Sequence, residues 1–129
     1  MTIEAATLGQ LFEAAADAFA DAVVEEPRRA IRPAVTRALD LEAPELDLLL
    51  RDWLHEILFL FDAESLLIGA TSVSVRRAED RFRLHADLMG ETLDPARHAI
   101  KVLIKAVTYH GLEARHTPDG WRATVVFDI

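Results

Sequence analysis

The chain has 129 residues, 51% of them hydrophobic and 28% charged, with no cysteine and a formal net charge of −8. That is one domain's length of chain, able to bury about two-thirds of its unfolded surface, and the lack of cysteine excludes disulfides, thiolate metal sites and cysteine nucleophiles. The acidic excess is concentrated in residues 1–64, with 14 acidic against 5 basic side chains, followed by 8 against 9. This excludes the broad cationic surface of a general nucleic-acid binder and suits solubility or a basic protein partner.

Residues 2–6 read as a short strand. Thr7 is a candidate N-cap with Gln10 three residues on, and Leu8, Leu11, Phe12, Ala15, Phe19 and Val23 then recur at helical spacing, which predicts an amphipathic helix over 8–25 ended by Pro27. Pro33 breaks residues 28–43, although Val35, Arg37 and Leu39 can line one side of an edge strand. Pro44 is placed at the first turn of a second helix, with Glu45 and Asp47 favourable against its dipole. Leu46, Leu49, Leu50, Trp53, Leu54, Ile57, Leu58 and Phe61 give that helix a wide apolar stripe to about residue 62, as expected of a helix buried between layers or in an interface.

Beyond Leu66 the pattern is strand-like. Residues 71–75 and 81–88 alternate with period two and are joined as a hairpin by Ala78-Glu79-Asp80. Gly90 to His98 reads as a loop, 101–109 and 112–116 as strands divided at Gly111, and Thr117-Pro118-Asp119-Gly120 as a tight turn. The last strand, 121–128, carries Trp121, Ala123, Val125 and Phe127 on one face. The whole predicts a single α+β domain over 1–129, with two helices packed on a mixed or antiparallel β-sheet.

Few constellations carry chemistry. Asp128 precedes Ile129 at the end of the last strand, so a side-chain carboxylate lies beside backbone oxygen. Such hard donors suit a divalent cation, yet Ca²⁺ or Mg²⁺ takes about six or more and needs further ligands. The five histidines form no metal motif; His55, His85 and His116 read as surface residues, and His98 and His110 as loop residues. Lys101 and Lys105, four apart, would share a strand face with Leu103, Val107 and Tyr109. That makes His98, Lys105, Tyr109 and His110 the candidates for partner contact. No phosphate loop, nucleophile elbow or base–nucleophile pair is present, so an enzyme is not expected.

Five segments together resemble the archease family over nearly the whole length: Thr7-Leu8-Gly9-Gln10-Leu11-Phe12, Trp53 to Asp62, Gly90-Glu91 through Asp94-Pro95-Ala96-Arg97-His98, Lys105 to Leu112, and Gly120-Trp121-Arg122 through Phe127-Asp128-Ile129. The resemblance implies a cytoplasmic activator of the GTP-dependent RNA-splicing ligase. Such a protein promotes metal-dependent guanylylation of the ligase's active-site histidine, and hence multiple turnover in tRNA splicing and RNA repair. It implies the ligase as partner and a divalent cation, expected to be Ca²⁺; no direct nucleic-acid contact is expected from the acidic charge, and no membrane contact because no apolar run approaches the roughly 20 residues of a span. The family's ligands are an upstream carboxylate in a His-Thr-Ala-Asp-type segment, the penultimate Asp and the backbone of the last residue. Asp128 and Ile129 match the latter two, whereas the upstream segment would precede Ile3-Glu4-Ala5 and the chain starts after it. Either Met1 is an internal start, the favoured expectation because a truncated strand leaves its sheet neighbour unpaired, or the chain is a metal-poor variant, with Glu4 the one substitute ligand in view. The competing reading is a chaperone-like interaction module that seats a partner on the second helix.

Overall fold

The computed structural model describes Met1–Ile129 apart from Tyr109 and His110. Among the described residues the elements run β1 (Thr2–Ala5), α1 (Leu8–Val23), α2 (Pro27–Ala30), β2 (Val35–Ala43), α3 (Leu46–Glu64), β3 (Leu66–Ala78), β4 (Arg81–Thr92), β5 (Ala106–Thr117) and β6 (Gly120–Asp128). The α+β class and the two long helices are as predicted. The strands, however, divide between two antiparallel three-stranded sheets, ordered β1-β6-β5 and β2-β4-β3. No helix among the described residues is long and apolar enough to cross a membrane.

Local chemistry accounts for the boundaries. Thr7, in an extended conformation, accepts the Gln10 N–H at 3.2 Å and so satisfies one of the unpaired donors that open α1. α1 ends at Val23, and Val24 turns extended to bridge Ile100, so Pro27 is not the terminator; it opens α2 instead, where its missing N–H costs nothing. Likewise Pro44 precedes α3 rather than standing in its first turn, and Asp47 is the acidic first-turn residue. Residues 101–105 are not a strand, so the shared strand face of Lys101 and Lys105 does not form. β5 runs through Gly111 as one strand, with its register against β6 shifting between Thr108 and Glu113.

The helices serve both sheets. α1 lies on β3 and on β1 and β6, whereas α3 lies on β5 and on β2, β3 and β4. The core is therefore common to the two layers. Leu11, Phe12, Leu49, Leu50, Trp53 and Leu54 are wholly buried in it, each worth roughly 1.5–3 kcal/mol for a large apolar side chain. The buried Trp53 indole N–H donates to the Phe12 carbonyl at 2.9 Å, which joins α3 to α1 and leaves no unpaired polar atom on the indole. With its apolar stripe so used, α3 keeps Phe59, 60% exposed, as its one large solvent-facing hydrophobe among the described residues.

Each helix also covers the open edge of a sheet. Glu13 on α1 accepts the N–H of Val73 at 2.9 Å on edge strand β3, and Asp47 on α3 accepts the N–H of Ala114 at 2.6 Å on edge strand β5. A carboxylate on an outward backbone N–H blocks the pairing site that another strand would use.

Two turns close the long hairpins. Gly120 takes a φ of 146° in the β5–β6 turn, where a Cβ would come within 2.4 Å of the Ala5 carbonyl oxygen. In the β3–β4 turn the left-handed position falls to Glu79, φ 60°. A residue with a Cβ costs roughly 1–2 kcal/mol there. Glu79→Gly should therefore raise stability by about 1 kcal/mol after the greater flexibility of the unfolded chain is set against it. The midpoint of urea unfolding should rise with an unchanged m-value.

Candidate functional site at the end of the last strand

Asp128 closes β6. Its neighbours two and four residues back, Val126 and Thr124, face the same side because side chains alternate along a strand, and that side is turned away from buried Ala123 and Val125. The Asp128 side chain is exposed and, among the described residues, forms no ion pair or hydrogen bond. Other carboxylates of that sheet are committed: Glu4 pairs with Arg122 and Glu113 with Arg115, each at 2.8 Å. Ile129 is 69% exposed beside it. β1 runs antiparallel to β6, with Met1 and Val125 exchanging both backbone hydrogen bonds at 3.0 Å, so the N-terminal end of β1 points toward the Asp128 end of β6.

What holds this end in place begins elsewhere, at Glu91. Its carboxylate accepts the Arg32 N–H at 3.0 Å and the His98 Nε2–H at 2.8 Å on Oε1, and Arg97 at 2.6 Å on Oε2. Asp94 N–H donates to His98 Nδ1 at 2.8 Å, so the ring proton is on Nε2, the nitrogen facing Glu91. Asp94 also folds its own loop: its side chain accepts Ala96 N–H at 3.0 Å, and its carbonyl accepts Arg97 N–H at 2.9 Å and His98 N–H at 2.8 Å. From this anchor the chain passes α1, where Glu25 N–H donates to Ala99 at 2.9 Å and Lys101 N–H to Val23 at 2.8 Å. It then donates Lys105 N–H to the Asp128 carbonyl at 2.7 Å. The loop thus ties the β4 end to the backbone of Asp128.

The sequence alone does not single out Glu91, for a physical reason. Along β4 the residues Leu84, Ala86 and Leu88 point inward, which assigns Glu91 to the outer face with His85 and Asp87. Only the folding of the 93–98 loop and of Arg32 over that face buries it. The Arg97 hydrogen bond pulls the Glu91 pKa from 4.5 to about 2, assisted by Arg32 N–H and His98 and opposed by burial. A carboxylate more acidic in the folded than in the unfolded chain stabilises above the unfolded value, and that stability is lost as pH falls through the folded one. Stability should therefore decline between pH 4.5 and about 2, and Glu91→Gln should flatten that decline in urea titrations run across the interval.

The other predicted site residues separate. His98 is 2% exposed with both ring nitrogens hydrogen-bonded, so no ring surface is free for a partner. Lys105 is exposed next to Asp128. Tyr109 and His110 lie outside the described residues. His55 and His116 are exposed, the latter edge-on to Trp121 at 4.9 Å, and His85 Nδ1 is 2.8 Å from Asp40, whose hydrogen bond raises the imidazole pKa.

A divalent cation finds only part of a site here. Asp128 and the Ile129 backbone stand at one place, but no group of three or more His, Cys, Asp or Glu comes together among the described residues. Glu4 pairs with Arg122 and lies across from it in register, at the far end of β1 from Met1's neighbour Val125, so it does not complete the set. Two or three oxygens are short of the six or more that Ca²⁺ takes. The residues present do not by themselves fit the ion.

The model of the "Archease protein family (MTH1598/TM1083)" matches residues 1–129. The curated protein archease of Thermococcus gammatolerans is 37% identical over 124 residues, covering 95% of this chain and 86% of its own. That of Methanosarcina acetivorans is 36% identical over 124 residues, covering 95% and 84%. The solution structure of Methanobacterium thermoautotrophicum protein 1598 superposes with a TM-score of 0.77 at 27% identity, covering 95% of this chain and 85% of that one. The α+β fold, the matched length and these identities agree: the chain belongs to the archease family.

Proposed function

We propose that this protein is an accessory activator of the GTP-dependent RNA-splicing ligase, acting in the cytoplasm to promote metal-dependent guanylylation of the ligase and its repeated turnover in tRNA splicing and RNA repair. Family membership supports a role as an accessory protein in RNA processing. The observation that carries the finer reading is the exposed, unpaired carboxylate of Asp128 at a strand end held by Lys105 N–H. An ionised carboxylate left without a partner on an otherwise ion-paired sheet face is available to an external cation or cationic group.

The chain's own contribution is positional. β6 fixes the direction of Asp128, the Glu91 anchor and the 93–105 segment fix its backbone, and exposed Lys105 and Ile129 flank it toward a protein partner. A divalent cation, with Ca²⁺ the expected ion, would engage Asp128 and the Ile129 backbone only together with oxygen donors from outside this pair. The reaction is the ligase's. Purified ligase supplied with GTP, a divalent cation and excess broken RNA should stop near one ligation per enzyme and continue through many when this protein is added. Equal yields with and without it would overturn the reading.

A further inference from the structure

Four of the fourteen Lys and Arg residues fall within residues 76–83: Arg76, Arg77, Arg81 and Arg83. Register places Arg76 directly across from Arg83 on β3 and β4. Like charges in that relation destabilise a sheet, and the carboxylates nearby offset them poorly. Glu42 serves both Arg81 at 3.6 Å and Arg83 at 3.4 Å, beyond the 2.7–2.9 Å of a charge-assisted hydrogen bond. The Arg76 guanidinium has no partner among the described residues, and the Arg81 Nε is buried without a hydrogen bond. Glu79 and Asp80, in the turn, pair with none of the four.

Beside them the outer face of the β2-β4-β3 sheet is hollow. A depression of about 420 Å³ is lined by Ser74, Arg76, Arg83 and His85, with Asp40 and Glu42 on its β2 side. The short side chain of Ser74 leaves it open: in register, Ser74 lies beside His85 on β4, and His85 in turn lies beside Asp40 on β2. The floor therefore carries two guanidinium groups and a hydroxyl, all donors and none satisfied by a short carboxylate contact. A tetrahedral oxyanion accepts from paired guanidinium groups in the bidentate manner that a single carboxylate does not exhaust.

The geometry points to this hollow as a seat for a phosphodiester group of a single RNA strand, held by Arg76 and Arg83 with Ser74 as a third donor. The assignment to RNA rests on the reading of the protein as an RNA-processing accessory; the oxyanion seat rests on the arginines alone. It departs from the expectation of no nucleic-acid contact, which follows from the net charge of −8 and not from its local distribution. That overall charge repels RNA at long range, so the contact is confined to one or two phosphates.

The test uses this protein without ligase: amide chemical shifts and anisotropy of a labelled unstructured oligoribonucleotide at low salt. Shifts should centre on residues 74–76 and 83–85, and log K should fall with log[salt] with a slope of about −0.7 to −1.4. Arg76→Ala with Arg83→Ala should weaken binding about tenfold or more, and the double Lys variant should recover part of it, because charge is kept and the fork is lost. Glu42→Gln should tighten binding about threefold or more, an outcome that misfolding cannot imitate. The proposal is overturned if shifts are absent or lie elsewhere, or if the alanine variant binds equally. It is also overturned if inorganic phosphate or polyglutamate binds there as well as the oligoribonucleotide does. Because no ligase is present, a negative result here leaves the activator reading standing, and a negative turnover assay leaves this seat to be judged on binding.

Discussion

Gly90→Ala should yield a protein that is largely unfolded or soluble only in small amounts, with stability reduced by about 3 kcal/mol or more. Gly90 is buried on β4 opposite Ile68, where β3 is irregular between Ile68 and Ala70. A Cβ there would be 1.8 Å from the Leu67 carbonyl oxygen, 2.8 Å from its carbon and 3.0 Å from the Ile68 Cα. All three are backbone atoms of the neighbouring strand, so no side-chain rotation relieves the overlap and the strands themselves must part. The gain from restricting the unfolded chain, roughly 0.4–1 kcal/mol, does not offset that. Circular dichroism and thermal melting of the purified variant decide the matter; a melting temperature within a few degrees of the parent would show that the strands separate at little cost.

Glu91→Ala should lower stability by about 3 kcal/mol, or roughly 10 °C in melting temperature for a chain of this size. The substitution leaves the fully buried His98 Nε2–H, the Arg32 N–H and one arm of Arg97 without an acceptor, and unmet buried donors cost more than a hydrogen bond gains. The loss should also be local. The 93–105 segment is attached by few backbone bonds, among them those to Val23 and Asp128, so hydrogen exchange at Ala99–Lys105 should quicken more than in α3. Uniform acceleration throughout would place Glu91 in the general core instead of at a loop anchor. His98→Ala should reproduce the local effect with a smaller loss, because Arg97 and Arg32 would still satisfy the carboxylate.

The contrast between these two sites shows which features of the chain can be read without coordinates. The α1 stripe from Leu11 to Val23, the Thr7 cap and the apolar face around Trp53 are local periodic signals, and each forms where expected. So does the Gly120 turn, because its chemistry is contained in four residues. Strand partnership is not local. Period-two alternation tells that β3, β4, β5 and β6 have an inner face, but it carries no information that β1 joins β6 and β2 joins β4. Alternation alone therefore does not distinguish two sheets from one. The 101–105 segment misleads for the same reason: its apolar run between two lysines resembles a strand, yet its backbone bonds lie at its two ends, Lys101 to Val23 and Lys105 to the Asp128 carbonyl at the tip of β6, and no ladder forms between them.

Site residues divide likewise. The exposed carboxylate of Asp128 could be read from its place at the end of an alternating strand, and it lies on the outer face. Glu91 could not, since its burial is produced by a loop and by Arg32, 59 residues earlier in the chain. His98 is a partner-contact candidate from sequence because loop histidines make better sites than strand ones; in the fold the loop closes over it. The arginine pair at Arg76 and Arg83 depends on a register that the turn length sets, with Ala78 paired to Arg81 across Glu79 and Asp80.

In the proposed function, Asp128 acts from the surface of a folded domain on another protein's reaction. Its most direct test is ligase turnover with Asp128→Ala in place of the parent, alongside thermal melting of both. Because the side chain is exposed and unpaired, melting should shift by no more than a degree or two, as for other surface substitutions, while stimulation of multiple turnover disappears. Undiminished stimulation by the intact, folded variant would contradict it.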